Sequence, residues 1–258
     1  MKDDLMNKLM EEVMKKRDEV EKTVIGAAAT GVCGLTEFVG TAIGDTIGFV
    51  IANVDSQLHE AMKIDPKYRS IGILSARTGA GPQVFAADEA VKATNTEVVS
   101  CEFARDTKGG AGHGSFGAED VSDAKRAVEV ALNDLNRTFG DVYGNDAGHL
   151  EFQYTARASF ACNMVLGAPI GKAFGIVVGA PAGIGVLMSD AALKAANVEL
   201  VGYASPDNGG TQYSNESMIF FSGDAGAVRQ AIYAAREVGK PALEAMAGPA
   251  PSSTTPYI

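Results

Sequence analysis

Three groups of residues have types and spacings that could do chemistry. The first is "RTGAGPQV", residues 77–84, a Gly-rich turn between an apolar run and a helical pattern, with Glu102 near the end of the following apolar run. That order outlines a dinucleotide site, in which glycines let the backbone approach a pyrophosphate at a helix N-terminus. The third glycine position, however, is Val84, and Pro82 removes a backbone donor. The second group is His113 in "RDTKGGAGHGS", residues 105–115, a polar loop that could cover a general base. No Cys or carboxylate stands at a spacing that would orient that imidazole. The third is the set His59, His113, His149 with Cys33, Cys101, Cys162, all scattered and without metal-ligand spacing. We expect no catalytic residue, no metal and no cofactor.

Composition narrows the classes further. The 258 residues carry 22 basic and 32 acidic side chains, a formal charge of −10. That balance repels phosphate backbones and argues against nucleic-acid binding. Three cysteines, odd in number and far apart, suit small buried thiols in a reducing compartment. The most apolar stretch, residues 173–188, is short for a bilayer and broken by Gly175, Gly179, Pro181, Gly183 and Gly185. The first residues are charged where a secretion signal carries an apolar core. The expectation is a soluble, intracellular protein.

What must position any site is a repeat. "DEAVKATNTEVVSC" from Asp88 is spoken again as "DAALKAANVELVGY" from Asp190. The register pairs Gly72 with Gly175, Lys92 with Lys194, Asn95 with Asn197 and Glu97 with Glu199. It continues through Asp120 and Asp224 into a shared stripe, Ala124, Ala127, Val128, Ala131 against Val228, Ala231, Ile232, Ala235. Such i, i+3, i+4, i+7 spacing marks one amphipathic helix in each copy. Upstream, "TEFVGTA" answers "LEFQYTA". Two homologous α+β units follow, at residues 36–145 and 146–247, each a small sheet with packed helices.

Within each unit a strand, a Gly-rich turn, a helix, a second strand, a polar loop and a second helix are predicted. Asn95 and Asn197 stand where the first helix must stop, since Asn tolerates the left-handed conformation that closes helices. Asp120 and Asp224 stand at the N-cap of the second helix. A third strand is predicted at residues 218–221, whereas its counterpart "GSFGAED" offers only Phe116 and reads as shortened. Residues 248–258, rich in Pro, Ser and Thr, read as an unstructured tail. Residues 3–22 read as an amphipathic helix whose apolar stripe is Leu5, Met6, Leu9, Met10, Val13 and Met14, followed by a Gly/Ala hinge at residues 25–34. A Met stripe suits recognition of a helix in a groove.

"MSDAALKAANVELVGY" together with "SGDAGAVRQAIYAAREVGK" resembles the bacterial microcompartment shell domain, and its duplication resembles the tandem, trimer-forming shell proteins. "TEFVGTAIGDTIGFVIANVD", "RSIGILSARTGAGP", "RTFGDVY" and "GHLEFQYTARAS" carry the likeness from about residue 36 to residue 240, and the leading strands match the circularly permuted subfamily. The resemblance implies two tandem permuted domains, related to the ferredoxin-like arrangement, in a pseudohexameric trimer of a cytoplasmic compartment's shell. Fusing two units into one chain would let three chains do the work of six and let the two copies diverge.

The resemblance further implies that two loops line openings for small diols, 1,2-propanediol or glycerol. These are Arg105, Asp106, Thr107, Lys108, Gly109, Gly110, His113 and Ser115 in the first unit, and Ser205, Asp207, Asn208, Gly209, Gly210, Thr211 and Gln212 in the second. It places Lys92, Asn95, Lys194 and Asn197 at tile-to-tile edges, where the lysine stem and not its charge would make the contact. Other shell proteins are implied as partners, and the Met-rich head could hold encapsulated enzymes such as a diol dehydratase. Neither loop contains Cys, so the pore iron–sulfur cluster of some tandem relatives is not carried over. The competing expectations are a nucleotide-dependent enzyme built on the Gly-rich turns and a small-molecule sensor using the cleft between units.

Overall fold

The computed structural model describes residues 36–77, 81–103, 112–206 and 215–258. Two five-stranded antiparallel sheets repeat one order of elements. The first contains β1 (Thr36–Ala42), β2 (Thr46–Ile51), β3 (Ser70–Ala76), β4 (Glu97–Phe103) and β5 (Gly112–Ala118), in spatial order β1-β2-β3-β5-β4. Its helices are α1 (Ser56–Met62), α2 (Gly81–Ala93) and α3 (Val121–Thr138). The second contains β6 (Val142–Asn145), β7 (Gly148–Thr155), β8 (Ala173–Ala180), β9 (Val198–Ala204) and β10 (Ser217–Gly223), in order β6-β7-β8-β10-β9. Its helices are α4 (Phe160–Leu166), α5 (Ala182–Ala195) and α6 (Ala225–Ala247).

The amphipathic stripes do what their spacing requires. Ala124, Ala127, Val128 and Ala131 of α3, and Val228, Ala231, Ile232 and Ala235 of α6, are all fully buried against their sheets. Close approach depends on the paired glycines beneath them. A Cβ on Gly72 would lie 2.7 Å from Val128 Cγ2, and one on Gly175 would lie 2.9 Å from Val228 Cγ1. Each unit thus has its own core. A third cluster joins the units: Val84 and Phe85 of α2 pack on Cys162, Phe174, Ile176 and Val178. This explains why β8, "AFGIVVGA", is an unbroken apolar run, because both its faces are covered.

Several expectations change. β5 is a full strand, paired with β3 on one side and β4 on the other, so the copy-one strand is not shortened. β6 pairs with β7, and β7 with β8, as β1 pairs with β2 and β2 with β3, so the "LEFQYTA" of β7 answers β2 and not the "TEFVGTA" of β1, and the second sheet begins at Val142. Asp120 and Asp224 occupy N-cap positions but make no side-chain capping bond. Neither Asn95 nor Asn197 has positive φ; α5 ends with Ala196 in extended conformation.

Residues 248–258 are not an unstructured tail. The buried Asp141 carboxylate accepts backbone N–H bonds from Tyr257 (2.9 Å) and Ile258 (3.0 Å), and Tyr257 Oη donates to the Tyr154 carbonyl at 2.7 Å. Among the described residues no helix is long and apolar enough to cross a membrane.

Candidate assembly interface

The contact between the two units is built on α2. Its Asp88 is fully buried and reaches across to α4, where Oδ1 accepts the N–H of Cys162 at 3.0 Å and both oxygens lie 3.0 Å from the Ser159 N–H. Ser159 makes no side-chain bond to its own helix, so Asp88 supplies the cap that α4 lacks. Lys92, one turn on, lies 2.9 Å from Asp88, 2.7 Å from Glu89 and 3.1 Å from Thr155 Oγ1 of β7. Burial opposes its charge, but the bonds it donates to Glu89 and Asp88 outweigh that and raise its pKa. Phe85 stacks on Phe174 with ring centroids 6.2 Å apart.

The repeat makes each of these residues comparable with a twin. Val84 and Phe85 are 4% and 1% exposed, while Val186 and Leu187, at the same positions of α5, are 48% and 46% exposed. Leu193, Leu200 and Tyr203 are exposed as well, where Val91 and Val98 are buried and Cys101 is half-buried. Gly81 abuts Glu151, whereas nothing lies within 4 Å of a Cβ built on Gly183. On the receiving side the asymmetry reverses. Glu151, Gln153 and Thr155 of β7 are buried under the first unit, and their twins Ile47, Phe49 and Ile51 of β2 are only half-buried. Leu58 of α1, twin of Cys162, is exposed. The chain therefore carries one completed contact and the two unmatched halves of a second.

The residues singled out in the sequence fall into different places. Lys194 projects outward with its side chain 74% exposed, and among the described residues only Asp190, at 2.7 Å, is an ion-pair partner. Lys92 does not match it: its side chain is 24% exposed and reaches Thr155 across the seam. Asn95 and Asn197 are exposed. Ser115 is fully buried in β5, which corrects its placement at an opening. Ser205 is half-buried at the end of β9. Loop positions 105–110 and 207–212, the His113 side chain and the whole apolar stripe at residues 5–14 lie outside the described residues.

Nothing among the described residues supplies a reaction centre. Burial, then the charge of Glu102, pushes the Cys101 thiol up to about 11, and burial with Asp88 beside it raises Cys162 too. Both thiols stay protonated and unreactive. No group of three His, Cys, Asp or Glu side chains among these residues could hold a metal. His59 is buried with Nε2 2.8 Å from the Tyr68 carbonyl, a structural bond. A groove of about 540 Å³ follows the seam, with Asp134 and Arg137 on one wall and Tyr154 and Tyr257 on the other. Arg137 is already matched there, by a two-pronged bond to Asp134 and by the Tyr257 ring. Sequence reasoning missed Asp88 and Glu151 as seam residues, because a carboxylate in a helix or strand carries no mark of what lies opposite.

Comparison with known proteins agrees with this geometry. Residues 173–251, the second unit without its first strands, match the BMC domain family. The chain is 64% identical over 235 residues to the bacterial microcompartment shell protein PduB of Salmonella typhimurium, covering 90% of this chain and 87% of that one. A crystal structure of a trimeric PduB superposes with a TM-score of 0.82 at 50% identity, covering 86% of this chain and 99% of the other. EtuB from Clostridium kluyveri superposes at 0.83 with 54% identity, over 86% and 98% of the two chains. The chain belongs to the PduB family of bacterial microcompartment shell proteins.

Proposed function

We propose that three copies of this chain close head to tail into one six-unit plate, using between chains the contact already made within the chain. As a member of its family the protein is a structural component of the propanediol-utilisation microcompartment shell and not an enzyme. One observation supports the ring reading: the bare α5 face of Val186, Leu187 and Leu193 is the twin of a face that the same chain buries. A heterologous contact repeated by rotation closes a ring when the turn divides the circle. The acceptor is the β2 face of the next chain, where Ile47, Phe49 and Ile51 offer apolar surface in place of Glu151, Gln153 and Thr155. Covering each half-exposed aliphatic side chain contributes about 1 kcal/mol.

In this plate the two polar, Gly-rich loops surround openings through which small diols such as 1,2-propanediol or glycerol pass. Their polar groups exchange for water around a diol at little cost. Lys194 and Asn197 lie at the outer edge and pack against neighbouring tiles, the other shell proteins among them. The Met-rich head holds encapsulated enzymes. Native mass spectrometry of Leu187→Asp tests the ring: a buried, unpaired carboxylate there leaves folded monomers, and a trimer that survives unchanged overturns the assignment of this face. Permeability of reconstituted shells to propanediol, before and after bulky substitution in the second loop, tests passage. Removal of residues 1–34 tests the link, since cargo that stays attached to purified shells ends it.

A further inference from the structure

Within the seam, Glu151 stands where its twin in the first unit is Ile47. It is 7% exposed, and its Oε1 has no hydrogen-bond partner. A Cβ on Gly81 of α2 would lie 1.8 Å from that oxygen and 2.8 Å from Ile176 Cδ1 of β8, so the carboxyl fills the space that the glycine leaves. Two residues back on the same face of β7, His149 Nε2 lies 3.1 Å from Glu216 Oε2, just ahead of β10. These are the charged groups that act on Glu151 among the described residues: His149 from β7 and Glu216 from just ahead of β10, with uncharged Gly81 and Ile176 from α2 and β8. An isoleucine serves this position in the twin, so packing alone does not call for a carboxyl.

We propose that Glu151 is a proton-operated lock between the two units: neutral, it lies closed against α2, and ionised, it forces α2 and β7 apart. An ionised Glu151 would hold Oε1 unsolvated, beside a second carboxylate and without a donor among the described residues, an arrangement that relaxes by admitting water to the seam. Burial, and secondly Glu216, push its pKa up to about 8, with His149 pulling the other way. Burial lowers the His149 pKa, but its bond to Glu216 and the charges of Glu216 and Glu151 raise it overall. Both protonated forms belong to the closed seam. The lock is therefore shut in mild acid and opens as pH climbs through the Glu151 value. Its consequence, a plate whose seams loosen in alkali, rests on the shell reading above; the lock itself does not.

Hydrogen–deuterium exchange on the intact assembly, corrected for the intrinsic pH dependence of exchange, reads the lock in peptides of α2 and β7. Between about pH 6 and pH 9 the wild type loses about tenfold or more in protection there, while Glu151→Gln keeps its protection at both. A wild type equally protected at the two values, or a glutamine variant that loses protection alongside it, overturns the proposal. Should that variant fail to fold, the infrared carbonyl band of a protonated carboxyl in the wild type decides. It must persist at neutral pH and fade together with seam protection, and its absence in mild acid also overturns the lock. Light scattering on the same samples reports assembly separately, so a failed lock in intact trimers leaves the shell reading standing, and a stable monomer sinks that reading whatever the exchange shows.

Discussion

Asp88 and Cys162 lie 74 residues apart, yet the carboxylate of the first accepts the backbone N–H of the second at 3.0 Å. This bond, with its companions to Ser159, ties α2 of one unit to the start of α4 in the other. Asp190 occupies the equivalent position of α5 and is exposed, bonded among the described residues to Lys194 alone.

Asp88→Ala leaves the buried Cys162 N–H and the half-buried Ser159 N–H without their acceptor and takes one of the two carboxylate partners of Lys92. The expected cost is about 3 kcal/mol, seen as a fall in Tm of about 9 °C by calorimetry. Asp190→Ala, measured on chains kept monomeric by Leu187→Asp, shifts Tm by no more than about 1 °C.

The two lysines separate in the same way. Lys194→Ala, measured on the same monomeric chains, leaves the unfolding temperature unchanged, since an exposed i, i+4 pair contributes about 0.5 kcal/mol or less, and in the intact assembly it abolishes extended sheets in electron micrographs. Lys92→Ala instead destabilises the chain by about 1–2 kcal/mol, because its partner Asp88 is left buried and unpaired. Equal effects of the two substitutions on stability would show that the seam and the edge are not distinct.

Gly81 and Gly183 are the third pair. Gly81→Ala drives a methyl into Glu151 and Ile176 and costs about 1–3 kcal/mol, the penalty for overpacking a seam that cannot give. Gly183→Ala meets open space in the single chain and gains helix propensity of up to about 1 kcal/mol. In the ring the same methyl faces the next chain's β2, so the substitution weakens trimers while the monomer stays intact. Titration of trimer against concentration, by native mass spectrometry, reads the difference.

Stability should fall with rising pH through the neutral range. Glu151 has a folded pKa of about 8 against 4.5 for an ordinary glutamate, so the folded chain binds a proton that the unfolded chain has released. The associated loss begins near pH 4.5, is complete above about pH 8, and amounts to roughly 5 kcal/mol at most. His149, also raised, adds in the same direction, its contribution present below 6.5 and lost as pH passes its folded value. Denaturant unfolding at a series of pH values shows the slope, and Glu151→Gln flattens most of it.

Asp141 holds the C-terminal residues, with Arg236 Nη1 3.1 Å away as its counter-ion. Asp141→Ala should free residues 252–258 to proteolysis and lower Tm by about 6–9 °C, for a loss of about 3 kcal/mol. Deleting residues 252–258 while keeping Asp141 should cost less, since Arg236 still neutralises it.

Much of the unit was legible because its signals are local. The repeat from Asp88 and Asp190 located the second copy, and the stripe through Ala124, Ala127, Val128 and Ala131, with the period of a helix, carried the register on to Val228, Ala231, Ile232 and Ala235. β5 escaped because "GHGSFGA" has little hydrophobicity of its own; two neighbouring strands, β3 and β4, supply its hydrogen bonds. The ordered tail escaped because polar composition describes solvation and not anchoring, and its anchor, Asp141, is more than a hundred residues away in sequence.

Local pattern suffices to establish that one α+β unit is built twice, because periodicity and turn chemistry belong to short segments and repeat wherever the segment repeats. Which twin lies inside depends on packing between distant segments. Asp88 and Lys92 share their spacing with Asp190 and Lys194, and burial is set not by spacing but by the surface across the way. For the first pair that surface is the chain's own second sheet; for the second pair it must come from another molecule.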